Sequence, residues 1–178
     1  MQIIETEIKD VKVIQPDVFG DNRGYFFESY SESRYKDITG GVKFVQDNIS
    51  RSVKSVVRGL HFQTGEFAQG KLCEVLKGKV MDVAVDIRKD SSTYGKHVAI
   101  ELSEENHKLI WIPPGFAHGF SVLSKEAIFH YKCTNYYNKE SERAIIYNDS
   151  DLNIDWKVEK PIVSEKDLQA RSFKGMDF

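Results

Sequence analysis

The sequence predicts an all-β fold, a jelly-roll β-sandwich or barrel with short terminal helices, on three observations. First, Met81, Val83, Val85 and Ile87 alternate with Asp82, Ala84, Asp86 and Arg88, the period of two expected of a half-buried strand. Second, about eleven short runs rich in Val, Ile, Phe and Tyr recur, bounded by Gly, Pro, Asn or Asp. Third, helical periodicity is confined to 31–38 and 164–170. Length and composition agree with this reading. At 178 residues the chain sits near the one-domain prior, so 1–178 reads as a single domain. Its 40% hydrophobic and 29% charged residues are ordinary for a globular protein and exclude disorder as the default.

The runs occupy 11–14, 25–30, 44–46, 56–63, 72–76, 80–87, 98–102, 109–112, 120–123, 128–134 and 144–147. Gly78, Gly95, Pro113-Pro114-Gly115 and Asn148-Asp149 mark turns between them. The first helix opens with Ser31 and Glu32. The second places Ser164 three residues before Asp167, the spacing of a capping box. Strict alternation through 56–63 puts Arg58, Leu60 and Phe62 on one face, with His61 and Gln63 on the other. No repeat, low-complexity block or linker divides the chain.

Charge narrows the partners. Lys plus Arg number 25 against 27 Asp plus Glu, a net −2, so the chain has no electrostatic excess to collect nucleic acid. An anionic ligand must be held by a few placed cations. Asp or Lys interrupts every apolar stretch before the roughly 18 residues of a membrane span. The start, MQIIETEIKD, lacks the basic-then-apolar shape of a secretory leader. Cys73 and Cys133 make no disulfide framework. A soluble, cytoplasmic protein is expected. The unusual entry is aromatic content, 12% from 11 Phe, 8 Tyr and 2 Trp, which serves either a core or a site.

A jelly roll encloses a cavity, so polar residues on inward strand positions can carry chemistry. His61 in Arg58-Gly59-Leu60-His61-Phe62-Gln63 and His118 in the run 113–119 stand out. β-Sandwich metal sites want three or four His, Glu or Cys ligands, often two His spaced two apart. Here the residue two after His61 is Gln63, and Lys71 would repel a cation. His97, His107 and His130 have no ligand-like partners. No tight metal site is expected.

The segments 58–63 (RGLHFQ), 69–72 (QGKL), 82–88 (DVAVDIR), 114–120 (PGFAHGF) and 131–134 (YKCT) together resemble the signature of the dTDP-4-dehydrorhamnose 3,5-epimerases. That family is a metal-free branch of the cupin superfamily, and the resemblance runs from Asp21-Asn22-Arg23-Gly24 to Ser164-Glu165-Lys166-Asp167. It implies a cupin-type jelly roll that needs no cofactor. It also implies a substrate, a deoxythymidine diphosphate 4-keto-6-deoxyhexose inverted at C3 and C5. Such chemistry needs a base on one face of the sugar, an acid on the other, and a group to hold the enolate. His61 matches the family's base, Asp167 its carboxylate partner, Tyr131 the opposite-face acid and Lys71 the cation at the C4 oxygen. Arg23 and Arg58 match diphosphate contacts. Glu28, Gln46, Asn48, Glu142 and Lys166 match substrate contacts, and His118 matches a histidine beside the sugar. Tyr137 matches the ring that stacks on thymine, with Phe26 facing or beside it.

Taken singly, Tyr131 reads as a core aromatic, Lys71 as a strand-edge charge and Asp167 as a helix-start carboxylate. Taken jointly, at the family's spacing, they read as catalytic, and that weight comes from the resemblance. The sequence departs from the family at Tyr137-Asn138-Lys139-Glu140 and at Ser92, where prolines are usual. It departs again at Tyr147-Asn148-Asp149-Ser150, where Trp-Asn-Asp-Pro is usual. The resemblance also implies a homodimer exchanging an N-terminal strand such as 11–14. A C3-only or C5-only epimerase and a non-catalytic nucleotide-sugar-binding cupin remain alternatives.

Overall fold

The computed structural model describes residues 1–176. Thirteen strands appear in chain order: β1 (Gln2–Glu5), β2 (Lys12–Gln15), β3 (Phe19–Asp21), β4 (Gly24–Phe26), β5 (Gln46–Val53), β6 (Val57–Gln63), β7 (Lys71–Lys77), β8 (Lys79–Asp86), β9 (His97–Ser103), β10 (Leu109–Ile112), β11 (Phe116–Val122), β12 (Glu126–Cys133) and β13 (Glu142–Ala144). Helix α1 (Glu32–Thr39) lies between β4 and β5, and helix α2 (Glu165–Leu168) lies near the C-terminus. Six strands form one antiparallel sheet in the order β1-β2-β10-β7-β12-β5. Five form a second, β13-β6-β11-β8-β9, and β3-β4 stand apart as a two-stranded arm. The two large sheets face each other as a cupin-type jelly roll: the period of two predicts the β-sandwich, and the resemblance implies the cupin type.

Three apolar layers hold the molecule. Between the sheets lie Val13, Val75, Ala84, Ile110, Phe120 and Phe129, all buried. Outside the five-stranded sheet, Val57, Leu60, Val83 and Val85 pack against Leu152, Trp156 and Phe173 of the C-terminal segment. That segment is tied down by Trp156 Nε1–H donating to the Tyr147 carbonyl at 2.7 Å and Ser121 Oγ donating to the Trp156 carbonyl at 2.5 Å. Outside the six-stranded sheet, α1 lays Tyr35 over Ile14, Leu72, Leu109 and Trp111. It ends at Gly40, whose φ of +73° closes the last turn with an N–H bond to the Lys36 carbonyl.

This layering corrects the half-buried reading of β8. Asp82 and Asp86, expected on a solvent face, are fully buried. The Val83 and Val85 face is covered by the C-terminal segment, and the opposite face looks into the sandwich. Several boundaries also move. The run 25–30 shortens to β4, because no ladder partner continues past Phe26. The run 44–46 becomes β5, eight residues long, whose Asp47, Asn48, Ser50, Arg51 and Ser52 hid it from an apolar pattern. As an edge strand, β5 draws its order from the backbone ladder with β12. The run 144–147 becomes β13, and α1 is not terminal. No helix among the described residues is long and apolar enough to cross a membrane.

Candidate active site

Strand β6 carries the site's histidine because of one irregularity. Against β11, His61 pairs with His118 but Arg58 pairs with Phe120, so Gly59 and Leu60 together oppose Gly119. The extra residue is a β-bulge, and it reverses the alternation. Val57, Leu60 and Phe62 join the outer apolar layer. Arg58 is exposed, and His61 and Gln63 turn to the interior. The expected face of Arg58, Leu60 and Phe62 is therefore split at Gly59. Only glycine fits there: φ is +130°, and a Cβ would lie 2.6 Å from Gly119 Cα.

The interior beside His61 opens into a cavity of about 300 Å³ lined by Gln46, Asn48, His61, Phe62, Gln63, Gln69, Lys71, Tyr131, Cys133, Tyr137 and Glu142. Its walls come from opposing sheets. His61 projects from the five-stranded sheet. Lys71 and Tyr131 project from neighbouring strands of the six-stranded sheet, with the Lys71 ammonium 5.7 Å from the centre of the Tyr131 ring. An imidazole and a phenol are thus held across a gap.

His61 Nε2 lies 2.6 Å from Asp167 Oδ1, and Asp167 is 3% exposed. Helix α2 delivers that carboxylate. Ser164 Oγ accepts the Asp167 backbone N–H at 3.2 Å, as a capping box requires. The Asp167 side chain does not close the box; it crosses to His61 and accepts the Gly59 N–H at 3.4 Å. Burial opposes ionisation of Asp167, yet its hydrogen bond to His61 and the charge there outweigh burial and lower its pKa. Burial pushes the Tyr131 phenol up to about 12, so it stays protonated and able to donate. The cavity therefore holds a carboxylate-paired imidazole and, opposite it, a protonated phenol beside an ammonium.

The cavity mouth is a hydrogen-bonded frame. Tyr137 Oη donates to Glu142 Oε2 at 3.1 Å, and Lys166 Nζ donates to the same oxygen at 2.6 Å. Gln46 Oε1 accepts the Tyr137 N–H at 3.1 Å, and Gln46 Nε2 donates to Asn48 Oδ1 at 3.0 Å. Arg58, with Nε on Ser52 Oγ at 3.0 Å, stands on the His61 face of β6. The Tyr137 ring remains 52% exposed, free to receive a flat partner.

Three residues expected at the site are not brought to it within one chain. Arg23 is exposed on the β3–β4 arm and paired with Asp21. Phe26, 70% exposed, and Glu28 line a separate cavity of about 350 Å³ with Met1, Phe19 and Arg34. The physical reason is that β3 and β4 pair only with each other. His118 does not line the cavity wall. It is buried beneath it, with Nε2 2.9 Å from Asp82 Oδ2 and 4.0 Å from Cys73 Sγ. Cys73, Asp82 and His118 are the described residues whose ligand atoms gather within 4.8 Å. They fit a resident metal poorly: burial pushes the Cys73 thiol up, so it keeps its proton, and Asp82 already occupies the imidazole nitrogen. Sequence reasoning also missed Gln63 and Gln69, two polar wall residues inside the very motifs that flagged His61 and Lys71.

The fold and site define a jelly-roll acid–base enzyme of the cupin kind, with a His–Asp dyad facing a tyrosine and a lysine. A family model described as dTDP-4-dehydrorhamnose 3,5-epimerase matches residues 5–175, and the chain belongs to that family. It is 51% identical to the dTDP-4-dehydrorhamnose 3,5-epimerase of Shigella flexneri, covering 100% of this chain and 99% of the relative. The crystal structure of the enzyme of that name from Elizabethkingia anophelis has a TM-score of 0.94 at 52% identity, covering 100% of this chain and 99% of the other. A dTDP-6-deoxy-D-glucose-3,5-epimerase from Legionella pneumophila, solved in complex with dTDP-4-keto-L-rhamnose, has a TM-score of 0.96 at 50% identity, with 99% and 94% covered.

Proposed function

We propose that the chain inverts C3 and C5 of a dTDP-linked 4-keto-6-deoxyhexose, converting dTDP-4-dehydro-6-deoxy-D-glucose to dTDP-4-dehydro-L-rhamnose for deoxysugar synthesis. The observation that carries this reading is the His61–Asp167 dyad facing Tyr131 and Lys71 across one cavity. His61 takes the proton next to the ketone, and Asp167 favours the imidazolium that forms. The Lys71 ammonium meets the charge developing on the C4 oxygen. Tyr131 returns a proton from the opposite face. The Tyr137 ring, with Glu142 and Lys166 beneath it, takes the base, and Arg58 takes the diphosphate. The reaction runs on these side chains in the cytoplasm, where Cys73 and Cys133 remain free thiols.

The site is completed by a second copy. The β3–β4 arm holds Arg23, Phe26 and Glu28 away from its own cavity and leaves Phe19, Tyr25 and Phe26 exposed. Exposed Ile49, Val53 and Leu76 on the outer face of the six-stranded sheet supply an apolar contact surface. A homodimer in which each arm reaches the partner's cavity accounts for both.

Incubating the chain with the 4-keto-6-deoxyglucose nucleotide in heavy water tests the reaction. Solvent deuterium is expected at C3 and C5 and is lost with His61→Ala; a sugar free of deuterium refutes the reading. Proton NMR of the product distinguishes two inverted centres from one. Mixing inactive His61→Ala chains with Phe26→Ala chains tests the arm, because a mixed dimer regains one intact site. Absence of recovered activity, with mixed dimers present, removes the exchange.

A further inference from the structure

The segment 134–141 leaves β12 in the six-stranded sheet and enters β13 in the five-stranded sheet, carrying Tyr137 across the cavity mouth. Its ends are held by backbone bonds, Thr134 N–H to the Gly70 carbonyl and Thr64 N–H to the Ser141 carbonyl, both at 3.0 Å. Between them, residues 135–138 make no backbone–backbone hydrogen bond among the described residues. Peptide groups in such a crossing need other partners. Here side-chain amides serve four consecutive residues. Gln69 Nε2 donates to the Asn135 carbonyl at 2.8 Å, and Asn135 Oδ1 accepts the Tyr136 N–H at 2.9 Å. Gln46 Oε1 accepts the Tyr137 N–H at 3.1 Å, and Gln63 Oε1 accepts the Asn138 N–H at 3.0 Å.

The three glutamines reach the segment from both sheets. Gln46 opens β5 and Gln69 stands just before β7, both on the six-stranded side, while Gln63 ends β6 on the other. Tyr137 is therefore gripped through its own peptide and through both flanks, although its ring is 52% exposed. An exposed ring on an unanchored loop would have to be ordered each time a ligand stacked on it, and that ordering weakens binding. Amides suit the task because each offers a donor and an acceptor without charge. The mouth already holds the charges of Glu142 and Lys166. Gln63 is 9% exposed, so water competes little for its oxygen. Its Nε2 makes no hydrogen bond among the described residues, so direct contact with a ligand is the competing role.

Resting on the reading of Tyr137 as the platform for the base, we propose that Gln63 and Gln69 are positioning residues for nucleotide binding. They clamp residues 135–138 between the two sheets and hold the Tyr137 ring in place before the ligand arrives. Their work is done on the backbone of the crossing segment and not on the sugar.

Two measurements on the full chain test the clamp. Amide hydrogen exchange by NMR reads the Asn138 N–H without any ligand: it should be protected in wild type and exchange faster in Gln63→Met, and equal rates overturn the proposal. Calorimetry with dTDP reads the platform, and Gln63→Met should weaken binding by about 5- to 20-fold. In a Tyr137→Ala background the same replacement should cost nothing further, because the ring it positions is gone. An undiminished penalty there assigns Gln63 to direct contact and overturns the clamp. Should Gln63→Met fail to fold, Gln69→Met, which loses the bond to the Asn135 carbonyl, is judged by the same dTDP outcomes. A wild type that binds no dTDP, or a Tyr137→Ala chain that binds it as tightly as wild type, sinks the platform reading and the clamp with it. Binding weakened by Tyr137→Ala but unchanged by Gln63→Met sinks the clamp alone.

Discussion

Replacing Asp167 by Asn isolates the charge behind the base. The amide keeps the shape, can still accept the ring N–H of His61, and leaves the Ser164 cap intact, because that cap binds the backbone of residue 167. What disappears is one negative charge beside Nε2, at an N···O distance of 2.6 Å, together with the weaker acceptor for the Gly59 N–H at 3.4 Å. With charge centres about 4 Å apart, an effective dielectric of about 20 gives roughly 4 kcal/mol. His61 is 32% exposed in its side chain, so water screens part of this. A charge-assisted hydrogen bond in proteins contributes about 1.5–3 kcal/mol, which sets a working loss of about 2–3 kcal/mol of imidazolium stabilisation. At about 1.36 kcal/mol per decade, proton abstraction should slow by about 30- to 160-fold. The assay is the single-turnover rate of deuterium incorporation at C3, with the melting temperature as a control for folding. A variant exchanging within about threefold of wild type would refute the claim that the carboxylate charge supports the imidazolium.

Other consequences are as concrete. Tyr131→Phe removes the opposite-face acid but leaves the base, so deuterium should still enter the sugar while inversion fails; loss of both together argues against that division of roles. Gly59→Ala forces a side chain into a φ of +130° and to 2.6 Å from Gly119 Cα, with an expected cost of about 2–4 kcal/mol. An unchanged urea midpoint would remove the bulge argument. Asp86 is buried, which opposes its ionisation, yet hydrogen bonds from Arg88, Ser91 and Thr93 hold its carboxyl far below the usual range. A depressed folded pKa means stability that is complete above the unfolded value near about 4 and lost as pH falls below it. Urea midpoints should therefore drop more between pH values of about 6 and 3 in wild type than in Asp86→Asn; parallel slopes would contradict this.

Much of the site was legible because its residues are anomalies on strands. His61, Lys71 and Tyr131 are polar side chains inside or beside apolar runs, and all three line one cavity. Asp167 was legible only through resemblance. By spacing alone it belonged to a capping box, and the structure uses the backbone half of that box while sending the carboxylate to His61. Asp82 was misread because a period of two shows which residues share a face but not whether the second face is also covered. The C-terminal layer of Leu152, Trp156 and Phe173 covers one side of β8, and the opposite sheet covers the other. Strand β5 was nearly invisible for the converse reason: its order comes from hydrogen bonds to β12, not from burial.

The sequence by itself determined the all-β class and the balanced charge, because each follows from local pattern and composition. Its 12% aromatic content is resolved only in three dimensions. Phe120 and Phe129 stack in the core with ring centres 4.3 Å apart, Tyr131 turns into the cavity, and Phe19, Tyr25 and Phe26 stay uncovered on the arm. The bulge at Gly59, the burial of Asp82 and the displacement of Arg23, Phe26 and Glu28 likewise belong to the tertiary structure. Each depends on which strand lies alongside, and strand neighbours here are set by partners up to a hundred residues apart. A one-residue slip decides which face His61 presents, and only the register between β6 and β11 fixes it.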